Sequence, residues 1–502
     1  MKIALAQLNP TVGAVRSNAS LAVGAAELAA DEGARLVVTP ELLISGYPPK
    51  DLLLRQSFVE SCDQAVERLA RDLPAGMAML VGHPTHRDVP AGRIANAASL
   101  LCDGRIQQTI QKMLLPTYDV FDEQRYFRAA ETIKPIRLDE KMLGVHICED
   151  AWWGAPDTVY DDPAARQFDP ISALVAEGVD LLINLSASPF EIDKPDRRMA
   201  LFSRHVQRHA APVAFVNQVG GNDDLVFDGH SFFLGADGSY LAMLPGFQTG
   251  VEIVDTECRD VVAGDHNRLR EADLLDALTL GLGDYMRKCG FTDCVLGLSG
   301  GIDSAVAACV AARAVGPSHV HALLMPSRFS SDHSVEDALN LATRLQINHE
   351  IVGIEDIHAA YGEADTVGNE LKSDPAGLAE QNLQARIRGA LVMLRSNHNG
   401  WLALATGNKS ELAIGYCTLY GDMAGGFAVL CDVFKRDVYG LARHINSSSD
   451  RGELIPKRTI SKPPSAELAP EQFDQDTLPE YPLLDSILKS LVEDERSVSE
   501  LA

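Results

Sequence analysis

One short segment constrains the fold of this chain more than any other. An apolar run at residues 295–298 leads directly into a Ser-Gly-Gly turn at residues 299–301, and a segment that opens with Asp303 and Ser304 follows. Two glycines let backbone N–H groups close on phosphate oxygens, and a following helix presents its positive N-terminus to them. The pattern therefore predicts a strand, a pyrophosphate-binding turn and a helix, with Asp303 placed to hold Mg²⁺.

The turn lacks the lysine of a Walker-type loop, in which Gly-Lys-Ser or Gly-Lys-Thr grips the β and γ phosphates. This favours cleavage of ATP between the α and β phosphates, which leaves AMP on the substrate. A glycine-rich turn without a ligand is the alternative. The run resembles the pyrophosphate loop of N-type ATP pyrophosphatases, which activate a carboxylate or carbonyl as an adenylate before a nitrogen nucleophile attacks. The resemblance implies that ATP is bound by Gly297, Leu298, Ser299, Gly300, Gly301, Ile302, Asp303 and Ser304.

Length and charge narrow the class of partner. At 502 residues the chain is long enough for two domains, each with its own core. Seventy acidic residues against 44 basic ones give a formal net charge of −26, which argues against nucleic acid or a membrane and favours small-molecule substrates. No window approaches the roughly 18 uncharged apolar residues of a membrane span, and Met1-Lys2 leads directly into a strand-like run, so we expect a cytoplasmic protein.

The pattern of predicted strands and helices differs between two parts of the chain. Residues 1–255 contain strand-like apolar runs between helical stretches, which predicts an α/β sandwich. Residues 271–502 alternate helix and strand around the Ser-Gly-Gly turn, which predicts a doubly wound parallel sheet that binds an adenine nucleotide. The polar residues 256–270 are the predicted linker, and the Pro- and acid-rich residues 455–481 are predicted to wrap the surface. The predicted strands of the first part are residues 3–8, 36–39, 77–82, 97–102, 144–148, 181–185 and 213–217.

Three polar residues, Glu41, Lys112 and Cys148, fall at or near the ends of predicted strands, where α/β folds gather catalytic groups. Taken singly, they could be a solvated charge, a surface lysine and a small core residue. Taken together, they are the residue types that amide hydrolysis through a thioester needs. A thiol with a pKa of about 8.5 is barely ionised at neutral pH and needs a base, which Glu41 would supply. Lys112 would stabilise the oxyanion of the tetrahedral intermediate.

The order and spacing of these segments resemble the nitrilase, or carbon–nitrogen hydrolase, superfamily with its Glu-Lys-Cys triad, which implies an α-β-β-α sandwich for residues 1–255. The run KMLLPTYDVFDEQRYF at residues 112–127 is most similar to the glutaminase branch of glutamine-dependent NAD⁺ synthetases. The run SASPF at residues 186–190 resembles the substrate loop of that branch. The resemblance implies that Tyr118, Ser188 and Lys194 hold glutamine and that Glu123 supports the triad. Lys194 replaces an arginine often found there, which leaves a charge contact rather than a bidentate one.

A second signature follows in residues 406–411, 415–418 and 420–426, which combine small residues with Thr406 and Glu411. Thr406 can donate to a phosphate or ribose, and Glu411 can supply a second carboxylate to Mg²⁺ beside Asp303. A glycine-rich mobile loop with incidental charges is the alternative. The run resembles the signature of NAD⁺ synthetases. The resemblance implies that Asn382, Arg386 and Glu411 contact deamido-NAD⁺ and that Thr406, Lys435 and Ser465 contact ATP.

The two resemblances together imply that glutamine is hydrolysed in the first part and that deamido-NAD⁺ is adenylated by ATP with Mg²⁺ and amidated to NAD⁺ in the second. They further imply a protected path for ammonia and a homo-oligomer built on a synthetase-domain dimer. Two other functions stay open. One is an ATP-pyrophosphatase amidotransferase with a different acceptor, and the other is a regulatory ATP-binding protein whose first half is a scaffold or nitrogen sensor.

Two features depart from the family. Leu419 stands where ammonia-only relatives carry a lysine that contacts deamido-NAD⁺. The sequence ends at Ala502, whereas family members usually continue into a basic segment whose lysine reaches the dinucleotide. No residue is therefore assigned to either contact.

Overall fold

Two units make up the computed structural model of the chain, Met1–Arg268 and Leu269–Ala502. The structure describes residues 1–156, 158–161, 168–257, 261, 268–364, 368–369, 371, 373–374 and 377–501. Most of the predicted linker, at residues 258–260 and 262–267, lies outside the described residues.

The first unit is built on two six-stranded sheets, with strand orders β14-β1-β2-β3-β4-β5 and β13-β12-β9-β8-β7-β6. A separate hairpin pairs β10 with β11. The strands are β1 Lys2–Gln7, β2 Leu36–Val38, β3 Ala78–Thr85, β4 Ala95–Cys102, β5 Arg105–Gln111, β6 Ile136–Leu138, β7 Lys141–Ile147, β8 Leu181–Ser186, β9 Val213–Asn217, β10 Val219–Asn222, β11 Leu225–Asp228, β12 Phe232–Leu234, β13 Tyr240–Met243 and β14 Gly250–Asp255.

Helices cover the outer faces of both sheets. One core lies between the sheets, where Leu5 and Val38 join the same cluster as Val145 and Ile183. Two further cores lie between each sheet and its helices. The layers follow the order helix, sheet, sheet, helix, so the predicted α-β-β-α sandwich is confirmed. The helices are α1 Val15–Asp31, α2 Gln56–Asp72, α3 Pro170–Ala176 and α4 Lys194–His209, with 3₁₀ turns at Lys50–Leu54, Glu123–Arg125 and Cys148–Ala151.

The second unit contains one five-stranded parallel sheet of order β17-β16-β15-β18-β19, in which the order reverses beside β15. This is the predicted doubly wound arrangement. The strands are β15 Cys294–Gly297, β16 Val320–Leu324, β17 Asn348–Ile351, β18 Leu402–Ala405 and β19 Phe427–Ala428. The helices are α5 Arg270–Cys289, α6 Ile302–Val315, α7 Asp332–Leu345, α8 Glu355–Gly362, α9 Leu378–Asn399, α10 Lys409–Ile414, α11 Lys435–Ser448, α12 Lys457–Ser461, α13 Tyr481–Leu488 and α14 Val498–Leu501, with shorter helical turns at Pro317–His319, Asp474–Asp476 and Lys489–Glu493.

Two sequence predictions need correction. Cys148 does not belong to the strand that precedes it, because β7 ends at Ile147 and Cys148 opens a 3₁₀ turn. Residues 455–481 do not simply wrap the surface, because Ile455, Asp474 and Tyr481 are buried and residues 462–468 line an internal cavity. Proline and acidic composition indicated an exposed tail, but tertiary packing places this segment against the sheet ends.

The described residues contain no helix that is long and apolar enough to cross a membrane. Eight cysteines fall within the described residues, and none of the eight is in a disulfide.

Gly82 on β3 permits a close approach of the turn that follows β2. A Cβ at Gly82 would lie 2.4 Å from the carbonyl oxygen of Pro40 and 2.5 Å from the backbone nitrogen of Leu42. Gly82→Ala should therefore lower the free energy of unfolding by about 1–3 kcal/mol. Gly24→Ala, inside α1 with open space around it, should raise it by about 0.5–1 kcal/mol. Thermal unfolding by circular dichroism checks both, and an unchanged Tm for Gly82→Ala would contradict the contact.

Candidate active sites

The first site gathers the predicted triad at the ends of β2, β5 and β7. The Nζ atom of Lys112 donates to Oε1 of Glu41 at 2.7 Å and to Oε1 of Glu123 at 2.8 Å. Lys112 and Glu41 are each only 1% exposed, and Cys148 is buried beside them. A buried ammonium thus lies between two buried carboxylates, next to a thiol.

Backbone contacts orient the Glu41 carboxylate. Its Oε2 atom accepts the N–H of Ala187 at 3.0 Å, and its own N–H donates to the carbonyl oxygen of Ser186 at 3.3 Å. Both partners lie at the end of β8, in the sheet opposite to β2. The carboxylate therefore joins the two sheets at the point where the triad meets.

Asn96 on β4 is a residue of this site that the sequence did not indicate. Its Nδ2 atom donates to Oε1 of Glu41 at 2.7 Å and lies 3.5 Å from Oε2 of Glu123, and its carbonyl oxygen accepts the N–H of Lys112 at 2.9 Å. Asn96 is 1% exposed. An asparagine inside an apolar strand carries no local motif, so only the pairing of β4 with β5 brings it to the site.

The turn at Cys148 is fixed by the Asp150 carboxylate. Asp150 accepts backbone N–H groups from Ile147 at 3.0 Å, Met113 at 3.0 Å and Leu114 at 2.8 Å. Cys148 itself has a φ of 41°, which a non-glycine residue rarely adopts and which is often found at functional positions. Asp150 thus ties the thiol-bearing turn to the segment that carries Lys112.

Burial dominates the electrostatics of this cluster. It raises the pKa of the Cys148 thiol well above its ordinary value, and the charge of Glu41 adds to the effect, whereas Lys112 and a hydrogen bond with Ser186 oppose it. Burial also raises the pKa of Glu123 to about 7, against the opposing charge of Lys112. Burial lowers the pKa of Lys112, but Glu123 and Glu41 outweigh it and hold that pKa well above its ordinary value. The thiol is therefore neutral at rest and needs a base before it can attack.

A cluster of polar side chains adjoins Cys148. Oε1 of Glu149 accepts from the hydroxyl of Tyr118 at 2.6 Å, and the nearby charge of Lys194 acts on the same carboxylate. Burial raises the pKa of Glu149, and the hydrogen bond from Tyr118 opposes this. Glu149, next to the nucleophile, was not singled out from the sequence. This cluster therefore contains the carboxylate of Glu149 and the ammonium group of Lys194.

Ser188 lies two residues beyond the end of β8, and Lys194 is the first residue of α4. Asn217 holds the backbone of Ser188 on both sides, because its Oδ1 accepts the Ser188 N–H at 2.8 Å and its Nδ2 donates to the Ser188 carbonyl at 3.3 Å. Nζ of Lys194 lies 5.9 Å from the centroid of the Phe121 ring and 3.5 Å from Oε1 of Glu191.

The second site is a cavity of about 290 Å³ in the second unit, lined by the C-terminal ends of β15, β16 and β18. Open α/β sheets bind ligands at this edge. Eleven sequence-predicted residues line it, namely Gly297, Leu298, Ser299, Gly301, Ile302, Asp303, Ser304, Thr406, Glu411, Lys435 and Ser465.

Gly300 shapes the turn without lining the cavity. Its φ is +81°, and a Cβ there would lie 2.2 Å from the carbonyl oxygen of Ser334. Both facts require glycine. Ser304 closes the turn, since its hydroxyl donates to the carbonyl of Gly301 at 3.0 Å and accepts the N–H of Ser299 at 3.3 Å. The turn is therefore preformed.

A second buried lysine stands between two carboxylates in this cavity. Nζ of Lys435 donates to Oδ2 of Asp303 at 2.6 Å and to Oε1 of Glu411 at 2.8 Å. Asn408 orients both carboxylates, because its Nδ2 donates to Oδ1 of Asp303 at 2.9 Å and its Oδ1 caps α10 at the N–H of Glu411. Helix α13 contributes Tyr481, whose hydroxyl donates to Oε1 of Glu411 at 3.4 Å.

These two carboxylates fit a divalent cation. They come from different elements and converge on one positive charge. Burial, and after it the charge of Asp303, raises the pKa of Glu411 to about 7. No group of three or more His, Cys, Asp or Glu side chains arranged as a metal centre occurs among the described residues. Two carboxylates are enough for Mg²⁺, which takes its remaining ligands from phosphate and water.

Asn382 and Arg386 lie outside the cavity lining. The hydroxyl of Thr418 donates to Oδ1 of Asn382 at 2.7 Å, and Nε of Arg386 donates to the carbonyl of Leu419 at 3.2 Å. They hold the signature loop, of which Gly421 reaches the cavity. Their contact with deamido-NAD⁺ stays a prediction.

Comparison with known proteins agrees with this arrangement. Residues 2–263 match the carbon–nitrogen hydrolase family, and residues 274–502 match the NAD synthase family. The chain is 46% identical over 511 residues to a glutamine-dependent NAD(+) synthetase of Synechocystis sp., covering 99% of this chain and 90% of that relative. The chain belongs to the glutamine-dependent NAD(+) synthetase family. The family predicted from the sequence is thereby confirmed.

Other members of the family cover the chain equally well. A glutamine-dependent NAD(+) synthetase of Rhodobacter capsulatus is 41% identical over 517 residues, covering 100% of this chain and 89% of that relative. The solved structure of a glutamine-dependent NAD⁺ synthetase from Acinetobacter baumannii in complex with ADP has a TM-score of 0.85 and 36% identity, covering 99% of this chain and 89% of that one.

Asn96→Ala removes the side-chain donor to Glu41. We expect kcat/KM for glutamine to fall about tenfold or more, because a hydrogen bond to a buried charge is lost, while NAD⁺ formation from ammonium stays within about twofold. Steady-state assays with each nitrogen donor measure this. Asn18→Ala is the matched control, since Asn18 is equally buried and its side chain, among the described residues, bonds only to the backbone of Thr11 and Ile44. Equal losses with both donors would show that Asn96 does not act on the glutaminase site.

Proposed function

We propose that this chain converts glutamine, ATP and deamido-NAD⁺ into glutamate, AMP, pyrophosphate and NAD⁺. The convergence of Glu41, Lys112 and Cys148 on one buried point carries the first half of the proposal. The preformed Ser-Gly-Gly turn facing Asp303 and Glu411 supports the second half. The family of the chain favours deamido-NAD⁺ as the acceptor over a nucleobase or an amino acid.

In the first domain, Sγ of Cys148 attacks the amide carbon of glutamine while Glu41 takes the thiol proton. The neutral resting thiol requires such a base. Lys112 stabilises the oxyanion, Glu41 passes the proton to the leaving nitrogen, and ammonia departs to leave a thioester. Glu41 then takes a proton from water, which hydrolyses the thioester to glutamate. Glu123 and Asn96 hold Lys112 and Glu41 in place.

The charges beside Cys148 match the two ends of the amino acid. Glu149 supplies a carboxylate for the α-ammonium group of glutamine, and Tyr118 orients that carboxylate. Lys194 supplies a cation for the α-carboxylate, and Ser188 lies on the loop beside it. A substrate that lacks either charged group would lose one of these two charge contacts.

In the second domain, the Ser299–Ser304 turn binds the β and γ phosphates of ATP. Asp303 and Glu411 would hold Mg²⁺, which when bound would supply charge neutralisation for the phosphates. A carboxylate oxygen of the nicotinate group attacks the α phosphorus, and pyrophosphate departs. Ammonia then attacks the carbon of the acyl adenylate, AMP leaves and a proton is lost. Lys435 supplies a cation for the β and γ phosphate oxygens, and Thr406 and Ser465 add hydroxyl donors.

Two further features belong to the proposal. Asn382 and Arg386 contact deamido-NAD⁺ through the signature loop that they hold. The functional form is a homo-oligomer built on a synthetase-domain dimer and located in the cytoplasm. Light scattering after size exclusion checks the assembly, and a monomeric active enzyme would contradict it.

Cys148→Ala should abolish NAD⁺ formation from glutamine and leave the reaction with ammonium intact, because only the first domain uses the thiol. Chromatography of products with ATP, Mg²⁺ and deamido-NAD⁺ measures NAD⁺, AMP and glutamate for each donor. Cys289→Ala, at an exposed free cysteine, should keep both activities. NAD⁺ formation from glutamine by Cys148→Ala would refute the role of the thiol, and a wild-type chain that yields glutamate without NAD⁺ would point to a different acceptor.

Asp303→Asn should raise the Mg²⁺ concentration needed for half-maximal NAD⁺ formation from ammonium by about tenfold or more, because one of two carboxylate ligands loses its charge. A magnesium titration at saturating ATP measures the shift. Asp293→Asn provides the control, since Asp293 precedes β15 at the opposite edge of the sheet. An unchanged magnesium requirement for Asp303→Asn would remove Asp303 from the metal site.

A further inference from the structure

Arg388 on α9 is a basic side chain of the nucleotide cavity that no motif indicated. It lines the cavity, and its Nε atom donates to the carbonyl oxygen of Met325 at 3.0 Å. No carboxylate within 4.0 Å pairs with its guanidinium among the described residues, although Glu467 acts on it from farther away. Burial lowers the pKa of Arg388 to about 10, with Glu467 opposing. The guanidinium of Arg388 therefore lines the cavity without an ion pair to a carboxylate among the described residues.

The other arginines of α9 are engaged elsewhere. Arg386 is exposed and donates to the carbonyl of Leu419, while Nη2 of Arg395 donates to both carboxylate oxygens of Glu350 at 2.6 and 2.7 Å. Residues two apart on a helix point to nearly opposite sides. Arg388 is thus the arginine that α9 directs into the cavity.

Close packing fixes the direction of Arg388. A Cβ at the next residue, Gly389, would lie 2.7 Å from the carbonyl oxygens of Tyr420 and Gly421. The helix therefore presses directly on the signature loop at this point. With Nε held by Met325, the two terminal nitrogens of Arg388 keep donor hydrogens for a ligand.

The position of Met325 relates Arg388 to the phosphate turn. Met325 follows β16, which pairs in parallel with β15, the strand that leads into the turn. Neighbouring strands lie about 4.8 Å apart. Arg388 therefore stands about one strand to the side of the turn that binds the β and γ phosphates, where the next phosphate of ATP would lie.

We propose that Arg388 binds the α phosphate of ATP and of the AMP that remains after pyrophosphate leaves. An unpaired guanidinium favours a phosphate over neutral ribose or base, because its planar donors match phosphate oxygens. This inference rests on the proposed binding of ATP in the same cavity. It assigns to Arg388 a ligand group that the Ser-Gly-Gly turn and Lys435 do not take.

Binding of AMP, adenosine and pyrophosphate to the full-length chain, measured by isothermal titration calorimetry, tests the proposal. Arg388→Gln should weaken AMP binding about tenfold or more, while the affinities for adenosine and pyrophosphate change by less than about twofold. Arg388→Lys, which keeps the charge but loses the planar fork, should give an intermediate loss and guards against a folding defect. Arg395→Gln, on the same helix but paired with Glu350, is the matched control and should bind all three ligands as the wild type does.

Two results would overturn the inference. One is AMP affinity of Arg388→Gln within about twofold of wild type. The other is an equal loss of adenosine affinity, which would place Arg388 at the nucleoside. A wild-type chain that forms NAD⁺ from ammonium in either case leaves the proposed function standing. A wild-type chain that neither binds ATP nor forms NAD⁺ would overturn the proposed function and this inference with it.

Discussion

A buried lysine held between two carboxylates is the interaction on which the first site depends. An ammonium ion taken out of water costs several kcal/mol unless it is paired and hydrogen-bonded. Glu41 and Glu123 provide that pairing for Lys112, and Asn96 keeps Glu41 in register with it. The same arrangement leaves one carboxylate in excess, which helps to keep the thiol of Cys148 protonated. The proposed base, Glu41, is therefore in contact with the cation, Lys112, while the site is at rest. Under the proposed function, Glu41 is protonated only when the thiol of Cys148 gives up its proton.

The residues that the sequence could predict are those that follow strands and carry unusual local composition. The Ser-Gly-Gly turn, Glu41, Lys112 and Cys148 all occupy such positions, and the last three meet because the ends of β2, β5 and β7 lie at the same end of the sandwich. The two sheet architectures follow from the same alternation of apolar runs. Local sequence was sufficient to predict a site residue wherever the order of the strands alone decides which residues meet.

Other residues could not be predicted because their roles arise from contacts between distant segments. Asn96 reaches Glu41 only through the pairing of β4 with β5, and Asp150 accepts the backbone N–H groups of Leu114 and Met113, which lie 36 and 37 positions away. Residues 462–468 have the composition of an exposed tail, yet they line the cavity. In each case the sequence gives the type of residue, but the residue that it contacts is determined by the folded structure.

The two lysine sites differ in exposure, and this difference matters for their chemistry. The side chains of Glu41 and Glu123 are 1% and 5% exposed, whereas those of Asp303 and Glu411 are 19% and 18% exposed. Because Glu41 and Glu123 are closed off from solvent, their contacts with Lys112 can change only when a proton moves, and this suits acid–base chemistry. The second pair faces a cavity large enough for a nucleotide, so Lys435 can exchange its carboxylates for phosphate oxygens while the carboxylates turn to a metal ion. Under the proposed function, the same arrangement of a lysine between two carboxylates would serve proton transfer in the closed site and ligand exchange in the open one.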